Sequence, residues 1–244
     1  MNNRNQIKLD VFIIGGGING VGIARDAAGR GLTIALAEMG DLGGATSSAS
    51  TKLFHGGLRY LEYFELTLVR ESLKERETLL SAMPHISWPM RFVLPYDKKM
   101  QFENTTPISK ILAFLMPWNK GRRPAWLIKL GLLIYDKLGS RTILPASNSI
   151  NLKTDVAGIP LKEKFLNGFE YSDCWVEDSR LVILNARDAC HNGANIMPQS
   201  KVISATKTDD GWYIEVKEKI SGKISIFNSK LLINAGGPWV QEVI

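Results

Sequence analysis

Residues 11–20 read VFIIGGGING, an apolar, β-branched run that passes directly into a G-x-G-x-x-G turn. A short apolar run of this kind predicts a buried parallel strand. The following residues are apolar at helical spacing up to Gly31, which is placed to stop a helix. A second apolar run, residues 32–37, ends on Glu38. Strand, turn, helix and strand without a gap predict the first βαβ unit of a dinucleotide-binding α/β domain.

The glycines and the acid of this unit have separate tasks. Gly15 permits the tight turn, Gly17 lets the backbone approach a pyrophosphate, and Gly20 lets the helix pack closely on the strand. The helix start supplies unpaired N–H groups, and Glu38 can accept hydrogen bonds from a ribose diol. Glycines that serve only a sharp turn are the alternative. The candidate cofactor-binding residues here are Gly15, Gly16, Gly17, Ile18, Asn19, Gly20, Glu38 and Met39.

A stretch of small and hydroxyl residues, GGATSSASTK at 43–52, follows Glu38. It is a poor candidate for core and a good one for donors that lie along a second phosphate and a ring system, which favours a flavin over a nicotinamide. A solvated Ser/Thr loop is the alternative. The candidate cofactor-binding residues of this stretch and its end are Thr46, Ser47, Ser48, Lys52 and Leu53.

Several longer motifs carry a resemblance to a known family. They are GGGIN at 15–19, ATSSAS at 45–50, KLFHGGLRYLE at 52–62, PMRFVLP at 89–95, RPAW at 123–126, GFEYSDCWV at 168–176 and NAGGPWV at 234–240. Together they resemble the FAD-dependent glycerol-3-phosphate dehydrogenases, which are membrane-associated flavoenzymes. The likeness is to the first half of such an enzyme.

The resemblance implies a fold and an activity. The fold is a Rossmann-like FAD-binding domain of the glutathione-reductase type, a βαβ unit with an inserted β-meander, plus part of a substrate or cap domain. The activity is oxidation of sn-glycerol 3-phosphate to dihydroxyacetone phosphate, with hydride passing to flavin N5 and electrons to a membrane quinone. FAD is bound noncovalently by resemblance, and a covalent link to His55 stays open. A cytoplasmic protein at the inner face of the membrane follows, with a homodimer possible.

His55 and Arg59 lie four positions apart around two glycines. His55 is the candidate for the base that takes the hydroxyl proton, or for a donor that tunes the flavin, because imidazole titrates near neutral pH. A buried structural histidine is the alternative. Arg59 is the candidate for gripping the substrate phosphate, with a simple ion pair as the alternative. The family's remaining basic substrate ligands lie in a C-terminal half that this chain lacks.

A second small-residue turn follows the apolar run at residues 231–234. Ala235, Gly236 and Gly237 at a strand's carboxyl end would let the backbone approach the cofactor from its other side. A plain strand-to-helix turn is the alternative. Val202 is placed near the adenine by resemblance only.

The motifs divide the 244 residues into three segments. Residues 1–83 are assigned to the first part of the FAD-binding domain, 84–165 to an inserted cap or membrane-facing segment, and 166–244 to the continued FAD-binding domain. Helices are predicted at 60–83 and from 178 to about 192. The charges of the first are interpreted as a solvated face, and Cys190 on the second as buried. Strands are predicted at 88–95, 169–176, 194–197, 201–208, 211–217, 223–227 and 231–234, with 142–164 as a connecting region.

The amino-acid composition indicates which classes of binding partner to expect. A net charge of +6 and a pI near 9.3 favour anionic partners, and no nucleic-acid-binding signature is found. The two cysteines form no C-x-x-C, which is typical of a reducing cytosol without a metal centre. A polar start and no apolar run of spanning length predict neither a signal peptide nor a transmembrane helix.

Residues 98–141 combine nine Lys or Arg with two acids among many apolar residues. Within them, 101–122 resembles an insertion relative to the family. We hypothesise that 108–118 forms an amphipathic element in the interface of an anionic membrane. The alternative is an ordinary loop and helix that cover the core. Liposome co-sedimentation that is unchanged after deletion of residues 101–120 would establish this alternative.

Three functions remain open at this point. The first is a catalytic FAD-dependent glycerol-3-phosphate dehydrogenase. The second is a related FAD-dependent oxidase of another small substrate, which would share residues 15–38 but not the HGGLR stretch. The third is an inactive, truncated FAD-binding fragment, whose flavin would not bleach when substrate is added.

Overall fold

A computed structural model describes residues 7–101, 106–116, 122–139 and 142–242. The chain forms two compact units. Unit 1 comprises Met1–Lys52 and Glu177–Ile244, and unit 2 is the continuous segment Leu53–Val176. These bounds differ from the segments 1–83, 84–165 and 166–244, because the helix and strand that flank the middle segment pack within unit 2.

The described residues contain ten strands and five α-helices. The strands are β1 (Ile7–Ile14), β2 (Ile34–Ala37), β3 (Leu53–Phe54), β4 (Ser87–Tyr96), β5 (Asn148–Asn151), β6 (Asn167–Val176), β7 (Asn195–Met197), β8 (Ser200–Thr208), β9 (Gly211–Glu218) and β10 (Ile224–Asn234). The helices are α1 (Ile18–Gly29), α2 (Leu66–Ala82), α3 (Pro107–Leu115), α4 (Ala125–Leu138) and α5 (Asp178–His191).

Unit 1 is a six-stranded sheet in the order β7-β2-β1-β10-β9-β8. The first four strands are parallel, and β9 and β8 are antiparallel additions. Helices α1 and α5 pack through small residues such as Ala24 and Ala186 on one face, while Phe12 and Phe227 lie in the core of the other. The predicted α/β, Rossmann-like class is confirmed. The parallel order places the ends of β1, β2 and β10 at one edge, where ligands of such sheets bind.

Strand β10 differs from the prediction. Two strands, 223–227 and 231–234, were expected because Asn228, Ser229 and Lys230 between them are polar. One continuous strand forms instead, since Asn228 and Ser229 pair with β9 on one side and with β1 on the other. The polar side chains suggested a turn at this point. The backbone groups of these residues instead find hydrogen-bond partners in the strands on both sides.

Unit 2 contains an antiparallel sheet in the order β3-β6-β4, with β5 also paired to β6. The predicted strands 88–95 and 169–176 are confirmed as β4 and β6, which pair over ten residues. Trp88 and Trp175 stack across this pair with ring centroids 4.4 Å apart. The predicted connecting region 142–164 contains the short strand β5. Leu73 on α2 and Tyr135 on α4 lie in a buried cluster of this unit.

The predicted helix 60–83 is wrong at its start. Residues Leu58–Tyr63 form a 3₁₀ turn, Phe64 has a left-handed φ of 61°, and α2 begins at Leu66. The interpretation of its charges as a solvated face is wrong for Arg76, which is 4% exposed, and Glu77 beside it is 6% exposed. The other charges of that face are exposed, namely Glu65, Arg70, Glu71, Lys74 and Glu75. Arg76 falls on the buried face of α2, three residues after Leu73 and four before Leu80.

Two further expectations concern single elements. Cys190 is exposed, so its prediction as a buried residue is wrong, because the buried face of α5 is formed by Val182, Ala186 and Ala189.

Helix α3 covers most of the predicted segment 108–118, whose end lies outside the described residues. No described helix combines the length and the apolar character needed to cross a bilayer.

Candidate functional site

The glycine turn of unit 1 has no room for side chains. Gly15 has a φ of 107°, and a Cβ there would lie 2.5 Å from the Ala235 carbonyl oxygen. A Cβ on Gly20 would lie 1.9 Å from the Gly15 carbonyl oxygen. Both distances are far below van der Waals contact, so α1 approaches β1 and β10 this closely only because these positions are glycine.

Glu38 lies beside the turn, at the carboxyl end of β2. Its Oε2 accepts a hydrogen bond of 2.7 Å from the Gly16 amide, and its Oε1 accepts one of 2.7 Å from the Gly40 amide. These bonds orient the carboxylate, whose oxygens keep further lone pairs for the hydroxyls of a ribose. The adjacent Met39 is exposed.

Ser47 lies over the start of α1. Its Oγ accepts a hydrogen bond of 2.9 Å from the Ile18 amide and would lie 3.1 Å from a Cβ on Gly17. The first turn of α1, which is described in full, contains no acidic side chain, and Ile18 and Asn19 are exposed. A helix start with a neighbouring hydroxyl and no competing carboxylate can bind a diphosphate.

Lys52 is held within unit 1 by Asp178, the first residue of α5. The Lys52 ammonium lies 2.5 Å from Asp178 Oδ1, and Ser50 Oγ donates to Oδ2 at 2.7 Å. Burial alone would raise the pKa of Asp178, but the bonds from Lys52, Ser50 and the Ser179 amide outweigh it and lower the pKa to about 2. The ionised Asp178 thus anchors the end of the Ser/Thr loop.

The other predicted residues of this loop are nearby in sequence and partly accessible. Thr46, Ser47 and Ser48 form the 3₁₀ turn Thr46–Ser48, in which Thr46 is exposed and Ser48 is half-buried. Ser48 Oγ donates to the Ala45 carbonyl oxygen at 3.2 Å. The loop therefore presents hydroxyls next to the start of α1.

The second small-residue turn meets the first one. The Ala235 amide donates to the Ile14 carbonyl at 2.8 Å, the Gly236 amide donates to Asn234 Oδ1 at 3.1 Å, and Gly237 has a φ of 57°. Val202 lies on β8, and the first residue of β8, Ser200, donates its amide to the Glu38 carbonyl at 2.7 Å. The structure thus brings these predicted residues to the edge that carries Glu38.

The remaining predicted residues belong to unit 2. Leu53 pairs with Trp175 in the sheet, and Arg59 is exposed on the 3₁₀ turn. His55 is exposed, so the alternative of a buried structural histidine is wrong. The Gly57 amide donates to His55 Nδ1 at 3.1 Å. A neutral imidazole that accepts at Nδ1 carries its proton on Nε2, so this arrangement makes His55 a hydrogen-bond donor at Nε2.

Sequence reasoning missed several polar residues near these positions. The sequence assigns Asp178 only to the start of a helix and Arg76 to a solvated helix face, and it assigns no role to Asp173 or to the hydroxyl of Tyr135. The available signals are weak: Asp173 directly precedes the apolar residues Cys174, Trp175 and Val176 of β6, and Arg76 follows the apolar spacing of α2. Their partners are distant in sequence, and no local pattern reports such pairs.

Comparison with known proteins adds to this geometry. Residues 10–244 match the profile of the family described as FAD dependent oxidoreductase. The chain belongs to this family. The cofactor of this family is FAD, and the glycine turn, the start of α1, Glu38 and Ser47 fit the diphosphate and ribose of such a dinucleotide.

Three relatives make the likeness more specific. The chain is 50% identical to D-erythritol 1-phosphate dehydrogenase of Brucella abortus over 96% of this chain and 42% of the relative. It is 45% identical to the aerobic glycerol-3-phosphate dehydrogenase of Escherichia coli, again over 96% and 42%. The structure of glycerol-3-phosphate dehydrogenase from Bacillus halodurans complexed with FAD superposes with a TM-score of 0.65 at 26% identity, over 98% of this chain and 36% of that one.

These relatives confirm the predicted resemblance to the N-terminal part of glycerol-3-phosphate dehydrogenases. The chain spans about 42% of the length of the first two of these relatives.

Proposed function

We propose that this protein oxidises a secondary hydroxyl of a short polyol phosphate with FAD, and that the substrate is sn-glycerol 3-phosphate, which becomes dihydroxyacetone phosphate. The observation that carries the proposal is the 45–48% identity to glycerol-3-phosphate dehydrogenases of Escherichia coli and two Pseudomonas species over 96% of this chain. The site at the end of β1 supports the proposal. Its glycine turn, the hydroxyl of Ser47 and the carboxylate of Glu38 suit a dinucleotide.

FAD, when bound, supplies a hydride acceptor for the substrate carbon. The residues of this chain bind the cofactor and the substrate and orient them. The amides at the start of α1 and Ser47 bind the diphosphate, and Glu38 binds the ribose. Arg59 binds the substrate phosphate through its planar, multiply donating guanidinium. His55 donates from Nε2 to the substrate hydroxyl oxygen and stabilises the negative charge on that oxygen as its proton passes to water, a role that the hydrogen bond with Gly57 favours over the role of base.

D-Erythritol 1-phosphate is the second candidate substrate. The relative of that name is 50% identical, slightly more than the glycerol-3-phosphate dehydrogenases. Both substrates present a phosphate and a secondary hydroxyl, so the residues named above serve either one, and the longer carbon chain must be tested directly.

Anaerobic flavin reduction tests the function. The purified protein is loaded with FAD, and its visible flavin absorption is followed after addition of sn-glycerol 3-phosphate or D-erythritol 1-phosphate. We expect bleaching by sn-glycerol 3-phosphate with the larger second-order rate constant, and glycerol without phosphate as an inactive control. Faster bleaching by D-erythritol 1-phosphate would identify the second candidate. Absorption that persists with both would contradict catalysis and favour an inactive FAD-binding fragment.

We further propose a peripheral position on the inner face of the cytoplasmic membrane. Ile111, Phe114 and Leu115 are exposed on α3. On α4 the exposed face is formed by Trp126, Lys129, Leu130, Leu133, Ile134 and Lys137. Exposed apolar side chains accompanied by lysines suit the interface of an anionic bilayer. This location supports a lipid-soluble quinone as the acceptor of two electrons and two protons.

Liposome co-sedimentation tests the membrane proposal. Phe114 and Ile220 are both 85% exposed, but Ile220 lies in unit 1 away from the basic segment in sequence. Phe114→Gln should lower co-sedimentation with anionic liposomes, and Ile220→Gln should not. Equal binding of both variants would contradict the proposal.

The same apolar helix faces could instead join two copies in a homodimer. Light scattering of the purified protein distinguishes this outcome, because a dimer has twice the 27.1 kDa mass of the chain. Conversion of such a dimer to monomers by Phe114→Gln would assign the α3 face to self-association.

A further inference from the structure

The hydroxyl group of Tyr135 joins two parts of unit 2. Tyr135 is on α4 and is 3% exposed. Its oxygen accepts a hydrogen bond of 2.8 Å from the Gly56 amide, and it lies 2.9 Å from Asp173 Oδ1. A hydroxyl has one proton, and the carboxylate can only accept, so the proton points to Asp173. Tyr135 therefore has a single orientation, in which its lone pair faces the loop that bears His55.

A buried ion pair orients Asp173. Asp173 on β6 and Arg76 on α2 are each 4% exposed, and Arg76 Nη1 lies 2.6 Å from Asp173 Oδ1. Arg76 Nη1 also donates to the Ser172 carbonyl at 3.2 Å, and Nη2 lies 3.4 Å from Glu77 Oε1. Because removal of one partner leaves the other charge buried, such a pair is held strongly in place.

The loop backbone fits closely against this framework. A Cβ on Gly56 would lie 2.3 Å from Leu73 Cδ2 and 2.9 Å from Tyr135 Cε2. Gly57 has a left-handed φ of 68°, and a Cβ there would lie 2.5 Å from Tyr60 Cδ2. Gly56 thus lets the backbone approach Tyr135 closely enough for the hydrogen bond, and Gly57 permits the left-handed turn that follows it.

The imidazole of His55 receives its orientation from the same loop. The Gly57 amide, one residue beyond the Gly56 amide that Tyr135 holds, donates to His55 Nδ1 at 3.1 Å. The Gly57 N–H lies in the plane of the peptide that joins Gly56 to Gly57, so this plane sets its direction. The amide of Gly56 itself is held by its hydrogen bond to Tyr135. Loss of the hydrogen bond between Gly56 and Tyr135 would let this peptide plane rotate. The Gly57 N–H would then no longer point at His55 Nδ1, and the imidazole proton would no longer be restricted to Nε2.

We propose that Tyr135, oriented by Asp173 and Arg76, is a positioning residue that holds the 55–57 loop so that His55 keeps its proton on Nε2 and donates from it. The inference rests on the proposed function in assigning that donor to the reaction. Asp173, Arg76 and Tyr135 do not touch substrate in this scheme. They act through the backbone of Gly56 and Gly57.

The test compares two tyrosine variants. Tyr135→Phe removes the bridging hydroxyl. Tyr171→Phe is the matched control, because Tyr171 packs against Tyr135 with ring centroids 6.3 Å apart and its hydroxyl has no hydrogen bond among the described residues. Histidine ¹⁵N spectra report the imidazole proton directly, and the chain has only three histidines, of which His55 is assigned by its loss in His55→Gln.

We expect one Nε2–H form of His55 in the wild-type protein and in Tyr171→Phe. In Tyr135→Phe a second, Nδ1–H form should appear, and the Gly56 amide should exchange about tenfold faster, as loss of one hydrogen bond predicts. His85 and His191 should keep their shifts, which shows that the fold is retained. A single Nε2–H form in folded Tyr135→Phe would overturn the proposal.

Two further measurements keep the outcome unambiguous. If Tyr135→Phe does not fold, exchange of the Gly56 amide in the wild-type protein decides, because exchange as fast as in an unprotected loop would overturn the proposal. The flavin reduction rate constant should fall about tenfold or more in folded Tyr135→Phe, with FAD affinity unchanged. A changed proton position without a changed rate would refute the donor role in the proposed function and leave the positioning intact.

Discussion

Gly20 and Gly22 lie two residues apart on α1 and differ completely in their surroundings. A Cβ on Gly20 would lie 1.9 Å from the Gly15 carbonyl oxygen, whereas a Cβ on Gly22 would meet nothing within 4 Å. Gly20 is therefore required by packing, and Gly22 only adds flexibility to the helix. The contrast separates the effect of the turn from the general cost of glycine in a helix.

Substitution of each glycine by alanine tests this contrast. Gly20→Ala should lower the free energy of unfolding by about 2 kcal/mol or more, because the backbone of the turn must shift. Gly22→Ala should raise it by roughly 0.5–1 kcal/mol through helix propensity. Urea unfolding measures both changes, and FAD titration should show weakened binding for Gly20→Ala only. Equal stability of the two variants would show that α1 does not pack on the turn as described.

At the scale of elements, the parallel sheet could be predicted because its information is local. The apolar run of β1, the glycine turn and the terminal Glu38 follow one another in the chain, and each has one physical meaning. The continuous β10 could not be predicted, since its pairing with β1 and β9 depends on residues distant in sequence. The break before α2 could not be predicted either, because it occurs at a left-handed Phe64, and a phenylalanine does not signal that conformation. Distance in sequence also hid the contact of Lys52 with Asp178.

Helix α5 anchors the Ser/Thr loop through its first residue, which gives a prediction for this element. The pKa of Asp178 is lowered from 3.8 to about 2, so its contribution to stability is present above pH 4 and is lost as the pH falls toward 2. The lowering corresponds to at most roughly 2 kcal/mol, and the contribution is smaller because water screens the Lys52 ammonium, whose side chain is 40% exposed. Asp178→Asn should lose this stability at pH 7, flatten the acid side of the stability profile and weaken FAD binding about tenfold.

Asp188→Asn is the matched control for Asp178→Asn. Asp188 also lies on α5 and pairs with Arg25, but both of those side chains are about half exposed. Exposed pairs contribute little, so this variant should keep wild-type FAD affinity and pH dependence. Urea unfolding at several pH values between 7 and 3, together with FAD titration, measures both variants. Identical behaviour of the two would mean that Asp178 does not anchor the loop.

At the scale of the whole molecule, the chain order of the two units makes them separable. Unit 2 is one continuous segment inserted between the two parts of unit 1. Its ends lie side by side, because Leu53 pairs with Trp175 in neighbouring strands, and Lys52 and Asp178 are in contact within unit 1. Unit 1 also has its own buried core on both faces of its sheet. A short linker can therefore replace Leu53–Val176 without stretching the chain.

We expect the excised unit 1, with a short Gly/Ser linker between Lys52 and Glu177, to fold cooperatively and to bind ADP, the half of FAD that the glycine turn, Ser47 and Glu38 are placed to hold. Calorimetric titration with ADP and thermal unfolding by circular dichroism provide the measurements. The control carries Gly16→Val, whose Cβ would lie 2.7 Å from the Glu38 Cβ and Leu42 Cδ2, and it should not bind. A folded excised unit that binds no ADP would show that the dinucleotide requires residues of Leu53–Val176, and an unfolded one would show that the core of unit 1 is insufficient by itself.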